Sequence, residues 1–203
     1  LVIRRQRQMC IRDSQLLEFN SLIKHLPSMT ASFANSGGIY LGKNFHFDLV
    51  RPGLALYGSV PGHLQNNLKN CISLYGRVLQ LREVDKGQVI GYGGTYKLPK
   101  KSRIATIGVG YADGYQRVLS GSSTVFHRGF PLPLVGRISM DSITVDISSL
   151  PDNNLKEGDF VELLGKHFTI DQAASLAQTV PYEMITGLGR RHYRYYNQVN
   201  DRL

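Results

Sequence analysis

The residues best suited to chemistry stand in glycine-rich segments, and the first is Val89-Ile-Gly-Tyr-Gly-Gly-Thr-Tyr96. Gly91, Gly93 and Gly94 permit a tight turn and a close approach of main chain to a ligand, so Tyr92 projects from a held loop after an apolar run. A surface tyrosine in a β-turn is the competing reading. A free tyrosine ionises at about pH 10, so a phenol that is to accept a proton at neutral pH needs cationic charge beside it. The segment Gly108-Val-Gly-Tyr-Ala-Asp-Gly-Tyr115 repeats the type and presents Tyr111.

A second set of residues suits an anion. Ser36 follows Asn35 at the end of a strand-like run and precedes Gly37 and Gly38. Its hydroxyl and the free amides of a Gly-Gly turn make an anion nest. Gly53 and Leu54 lie just past a strand ending at Arg51, where main-chain N–H groups reach the same phosphate. Arg51 is either paired with a buried carboxylate or aimed at a ligand. Met140 and Asp141 follow Leu134-Val-Gly-Arg-Ile-Ser139, and a methionine there reads as core on pattern alone. Tyr182, after Pro181, is either a core tyrosine or a phosphate donor. The six histidines show no ligand spacing, so no metal site is expected.

These residues need a scaffold, and 203 residues with 42% hydrophobic and 19% charged content suffice for a sizeable core. No apolar run approaches the roughly 20 residues of a membrane span. Two cysteines, Cys10 and Cys71, make no disulfide framework and point to a reducing compartment. The Arg-rich stretch 1–14 reads as a non-native or disordered leader and is set aside. Residues 15–26 place Leu16, Phe19, Leu22, Ile23 and Leu26 on one helical face, stopped by Pro27. Strands are expected at 28–36 and 47–51, then a polar linker at 61–70. Beyond it the pattern turns β-rich, with strands at 74–84, 103–109, 133–138, 143–147 and 160–164. One helix is expected at 171–178, with Ala173, Ala174, Leu176 and Ala177 as core.

Six segments together resemble the alanine racemase family in order and spacing, over about residues 15–200. They are Ala34-Asn-Ser-Gly-Gly-Ile39, Phe47-Asp-Leu-Val-Arg-Pro-Gly-Leu-Ala-Leu-Tyr-Gly58, Gly91-Tyr-Gly-Gly-Thr-Tyr96, Gly108-Val-Gly-Tyr-Ala-Asp-Gly-Tyr115, Val135-Gly-Arg-Ile-Ser-Met-Asp141 and Pro181-Tyr-Glu183. The resemblance implies an α/β barrel remnant at 15–60, the end of a TIM barrel that binds pyridoxal 5′-phosphate. A mainly β C-terminal domain at 71–203 follows the linker. It also implies alanine as substrate, a head-to-tail homodimer whose active site is shared between subunits, a cytoplasmic setting, and neither nucleic acid nor membrane as partner. D-alanine for peptidoglycan would be the product.

Carried over by position, Tyr92 resembles the family's catalytic tyrosine, which serves the partner subunit's site. Ser36, Gly53, Leu54 and Tyr182 are similar to its phosphate contacts, and Arg51 to the residue facing the pyridine nitrogen. Met140 resembles the substrate-binding position, with Asp141 and Tyr111 lining the same pocket. Racemisation removes the α-proton from one face and returns one to the other, so it needs a base on each side. The family uses a tyrosine and the cofactor's lysine. The Lys-x-Asn-Ala-Tyr-Gly-type segment that carries that lysine is absent from these 203 residues. The expectation is that this polypeptide alone does not racemise alanine, and that residues 15–60 expose apolar faces. Two alternatives are a racemase of broader amino-acid range and a β-rich module binding nucleic acid. The second would use Arg190, Arg191 and Arg194 with Tyr193, Tyr195 and Tyr196, in a chain of net charge +9. That cluster reads better as one solvated strand face plus a partner contact.

Overall fold

The computed structural model describes the main chain of residues 2–60 and 68–197, and side chains from residue 12 onward. The linker expected at 61–70 therefore lies, for residues 61–67, outside the described residues. The chain divides into two compact units, one of residues 2–56 with Val60, the other of 57–59 with 68–197.

The first unit is helical. Its α1 (Val2–Ile23) runs as one helix of 22 residues. It extends the helix expected at 15–26 back through the stretch set aside as a leader. Phe19 on this helix packs against Phe33 and Phe47, each at a ring-centroid distance of 4.9 Å, and Phe33 in turn meets Phe45 at 6.2 Å. Leu22 and Leu26, expected on the packed face, are exposed, as are Leu17 and Met29. A short α2 (Ser36–Ile39) makes a single turn. The strands expected at 28–36 and 47–51 reduce to isolated bridges, Ser32 with Phe47 antiparallel and Asn35 with Arg51 parallel. The reason is physical: parallel pairing is weak per residue and persists inside a covered sheet, not as a lone pair.

The second unit is mainly β. Its strands are β1 (Leu74–Val84), β2 (Val89–Ile90), β3 (Tyr96–Lys97), β4 (Ser102–Ile107), β5 (Thr124–His127), β6 (Phe130–Pro133), β7 (Ile143–Asp146) and β8 (Phe160–Leu164). Six of them form an antiparallel sheet in the order β6-β5-β8-β1-β4-β7. A bridge between Leu134 and Val145 draws the two edges together, so the sheet is nearly closed. The strand expected at 133–138 is corrected. Pairing ends at Pro133 apart from that bridge, and Gly136 turns the chain with a φ of 77°.

Alternating residues fill the interior. Val78, Ile107, Val125, Leu132, Val145 and Leu163 are buried in one core, while a register slip between Val78 and Gln80 leaves Leu79 exposed. A smaller cluster of Val84, Ile90, Leu98, Ile104 and Val135, with Tyr96 against it, pins the β2–β3 hairpin. Two short helices complete the unit, α3 (Ile170–Leu176) and α4 (Pro181–Gly187). Thr169 caps α3: its Oγ1 accepts the Gln172 N–H at 3.3 Å, and Gln172 Oε1 accepts the Thr169 N–H at 2.7 Å. Ala173, Ala174 and Ala177 are buried as expected, but Leu176 is exposed. No strand forms at 190–196, where a solvated strand face was expected; the segment is turn and irregular chain. No helix among the described residues is long and apolar enough to cross a membrane.

The two classes of apolar residue predict different costs. Leu163→Ala removes a fully buried side chain and should lower the unfolding free energy by about 2–5 kcal/mol. Leu79→Ala, on the exposed bulge, should cost under about 1 kcal/mol. Urea unfolding of both variants checks this, and equal losses would contradict the assigned core.

Candidate functional site

Tyr92 opens a tight helical turn, Tyr92–Gly94, that links β2 to β3. Gly91, Gly93 and Gly94 adopt φ values of 77°, 72° and 59°, a region that L side chains rarely enter. The bend throws the phenol outward, and Tyr92 is 65% exposed. The loop is nevertheless anchored. Ile90 packs with Leu98 and Val135 beneath it, and the Gly91 main chain lies against the next loop. A Cβ on Gly91 would stand 2.8 Å from Arg137 N and 2.9 Å from Gly136 Cα.

Residues 136–139 lead to Met140, where a second main-chain contact occurs. A Cβ on Gly110 would lie 2.2 Å from the Met140 carbonyl oxygen and 2.4 Å from that of Ser139. Beside it the Tyr111 N–H donates to Ser139 O at 3.1 Å and the Ala112 N–H to Met140 O at 3.0 Å. The turn Tyr111–Asp113 is thus bonded directly to the segment bearing Met140 and Asp141. Both Tyr111 and Met140 are exposed; the reading of Met140 as core, natural from pattern alone, does not hold.

Charge reinforces this junction. Asp113 Oδ2 accepts the Gly110 N–H at 2.8 Å, and Asp113 Oδ1 lies 3.3 Å from Arg191 Nε. Arg191 Nη2 donates to Asp141 Oδ1 at 2.6 Å. The hydrogen bond to Asp141, and then the charge of Asp113, hold the guanidinium pKa above its ordinary value. His192 Nε2 sits 2.5 Å from the Asp113 carbonyl oxygen. A third contact brings in α4: a Cβ on Gly114 would meet Gly187 O at 2.1 Å. Tyr182, exposed, stands in the first turn of that helix. Tyr92, Met140 with Asp141, Tyr111 and Tyr182 therefore hang on one succession of main-chain contacts. Tyr115, close in sequence, has a different character. It is fully buried, and its hydroxyl lies 2.5 Å from Ser123 Oγ. Burial pushes its pKa up to about 12, against a smaller downward pull from Ser123.

The first unit gathers the other candidates. Asn35 Oδ1 accepts the N–H groups of Gly37 at 3.1 Å and Gly38 at 3.0 Å, capping α2. The Gly-Gly amides expected to be free for an anion are thus taken by the chain itself. Ser36 is buried, and its Oγ accepts the Gly53 N–H at 2.8 Å and the Ala55 N–H at 3.1 Å. Ser36, Gly53 and Leu54 are therefore brought to one place. Arg51 runs beside Asn35 through the parallel bridge. Its guanidinium donates to Ser32 Oγ at 2.5 Å and Phe33 O at 3.4 Å, so its partners in this structure are a hydroxyl and a carbonyl rather than a carboxylate. The Gly53 and Ala55 N–H groups, like those of Gly37 and Gly38, are thus engaged within the chain, and Ser36 Oγ is the point on which the segment after Arg51 converges.

Local spacing does not reveal Arg191, Asp113 and His192 as parts of this site. Arg191 and His192 find their partners 50 and 79 residues away. The only signal in the sequence is the pair of carboxylates set beside Tyr111 and Met140, which require a cation from somewhere.

Comparison with known proteins places these residues in context. A family model described as alanine racemase, C-terminal domain, matches residues 71–196, and one for the N-terminal domain of the same family matches residues 6–61. The alanine racemase of Brucella abortus (strain 2308) is 46% identical over 204 residues, covering 94% of this chain and 52% of its own length. The catabolic alanine racemase of Rhizobium johnstonii is 45% identical over 183 residues, covering 90% and 48%. Among solved structures, alanine racemase from Bartonella henselae with covalently bound pyridoxal phosphate superimposes with a TM-score of 0.85 at 45% identity, covering 92% of this chain and 52% of that one. The enzyme from Pseudomonas aeruginosa gives 0.84 at 36% identity, with the same coverage. The chain spans about half the length of the curated relatives it matches.

Tyr115 offers a pH test of the packing around the site. Its folded-state pKa is raised, so its neutral phenol stabilises the fold below about pH 10, the unfolded value. That contribution is lost as pH rises through about 12. Ultraviolet titration of the wild type and Tyr115→Phe should differ by one tyrosine that ionises together with unfolding. Ionisation of that tyrosine alongside the exposed ones would contradict its burial.

Proposed function

The chain belongs to the alanine racemase family, and we propose that in the full-length enzyme its residues interconvert L- and D-alanine, with Tyr92 exchanging the α-proton on one face. The observation that carries this reading is an exposed phenol on a loop pinned at Gly91. A proton-transferring group must be reachable by substrate yet held in place, and an exposed phenol on an anchored loop is consistent with both demands. In the head-to-tail homodimer proposed here, Tyr92 serves the partner subunit's site. The opposite face belongs to a lysine on an N-terminal segment of the kind absent from these residues.

Tyr111, Met140 and Asp141 line the substrate side. An aromatic ring and a thioether in a completed active site would favour a small apolar group, which suits a methyl side chain. Ser36, Gly53 and Leu54 would hold the phosphate of pyridoxal 5′-phosphate, a reading supported by the convergence of the Gly53–Ala55 segment on Ser36 Oγ, and Tyr182 would be a further phosphate donor. When bound, the cofactor supplies an electron sink for the charge left as the α-proton departs. Arg51 donates and cannot accept, so a ring nitrogen facing it carries no proton. An unprotonated ring would be a weaker sink, which would favour return of the proton over side reactions. The product D-alanine would serve peptidoglycan synthesis in the cytoplasm.

Two measurements test the reading. In the full-length enzyme Tyr92→Phe should reduce racemisation by about 10²–10⁴-fold. Exchange of the α-hydrogen with solvent deuterium should fall much further for one enantiomer than for the other. An equal fall for both, or none, would rule out Tyr92 as the base of one face. The 203-residue chain supplied with cofactor should give no turnover, and detectable racemisation by it would remove the need for the lysine segment.

A further inference from the structure

Among the described residues Arg191 is the cation that joins the two segments bearing Tyr111 and Met140. Its Nε faces Asp113 Oδ1 at 3.3 Å, and its Nη2 donates to Asp141 Oδ1 at 2.6 Å. Asp113 is itself tied to the Gly110 N–H at 2.8 Å, at the point where Gly110 presses on the Met140 carbonyl. The neighbouring His192 sits on the Asp113 carbonyl. Residues 191 and 192 therefore both contact Asp113, at the end of the turn Tyr111–Asp113, while Arg191 also reaches Asp141 beside Met140. A planar guanidinium with donors in a fixed fork can span two carboxylates at a set separation, which a flexible ammonium cannot.

We propose that Arg191 is a positioning residue: by bridging Asp113 and Asp141 it fixes Tyr111 relative to Met140, and so sets how large an amino-acid side chain the pocket accepts. The part concerning substrate rests on the functional reading above. The clamp itself stands on the geometry of the second unit alone. Without the bridge Asp113 keeps its bond to the Gly110 N–H, but the two carboxylates lose the cation they share, and their like charge then loosens the segments that define the pocket wall.

The test uses the full-length enzyme with Arg191→Met and Arg191→Lys, and two readouts. Hydrogen exchange at the Tyr111 and Ala112 amides, which bond to Ser139 and Met140, reads the clamp. It should quicken by roughly fivefold or more in Arg191→Met. Kinetics read the consequence. KM for alanine should rise more than kcat falls, and the preference for alanine over 2-aminobutyrate in kcat/KM should drop by roughly tenfold. Lysine should restore part of both effects, since it keeps the charge but loses the fork. Unchanged exchange overturns the clamp, whatever the enzyme does. Faster exchange with an unaltered substrate ratio overturns its role in selection. If the wild-type enzyme turns over no alanine, the functional reading fails and the selection proposal with it, while exchange still decides the clamp.

Discussion

The candidate site depends on close contact between main chains at glycines. Gly91 lies on Gly136 and Arg137, Gly110 on Ser139 and Met140, and Gly114 on Gly187. At each point a Cβ would fall inside 3.0 Å of another backbone atom, a separation that real side chains do not tolerate. Backbone packed on backbone leaves little freedom for a loop to shift, because neither partner has a rotamer to change. The order of contacts matters as much as their tightness. From the Tyr92 turn they pass to Gly136, from Met140 to Gly110, and from Gly114 to the end of the helix that carries Tyr182. Exposed side chains that would otherwise be mobile thereby share one frame.

Beneath the frame the nearly closed sheet supplies rigidity. Its interior is filled by Val78, Ile107, Leu132, Val145 and Leu163, and the smaller cluster around Ile90 and Val135 fixes the hairpin on which Tyr92 stands. The polar layer follows the same logic at lower cost. Asp113 ties down its own turn through Gly110 and offers its other oxygen to Arg191. In the helical unit the equivalent device is Ser36, a buried hydroxyl that collects two main-chain N–H groups from the segment after Arg51. That unit keeps Leu17, Leu22 and Leu26 exposed beside its small aromatic cluster.

Much of this was legible in the sequence, and the exceptions have physical causes. Alternation of apolar and polar residues marked β1 at the ends the structure assigns, since a half-buried strand carries its own period, and turn residues before it marked β8. The glycines around Tyr92 marked its turn. Residues 133–138 read as strand from Leu134, Val135 and Ile138, yet Gly136 takes a positive φ and turns the chain onto Gly91. The run 28–36 read as strand from composition, but strand formation is a property of a sheet, and only bridges remain here. Ser36 followed by two glycines looked like an open nest; the preceding Asn35 fills it with its own side-chain oxygen. Arg191 was visible only as charge, because its partners are distant in sequence and near only after folding.

The measurement that bears most directly on this account is the activity and fold of Gly110→Ala in the full-length enzyme. A methyl there would need roughly 1 Å of separation from the Met140 carbonyl, since the Cβ would otherwise sit 2.2 Å away, and a misplacement of about that size can cost about 10²-fold in rate. If the glycine contacts set the site, circular dichroism should report an intact β fold while racemisation falls by about that factor. Wild-type racemisation by a correctly folded Gly110→Ala enzyme would contradict the account.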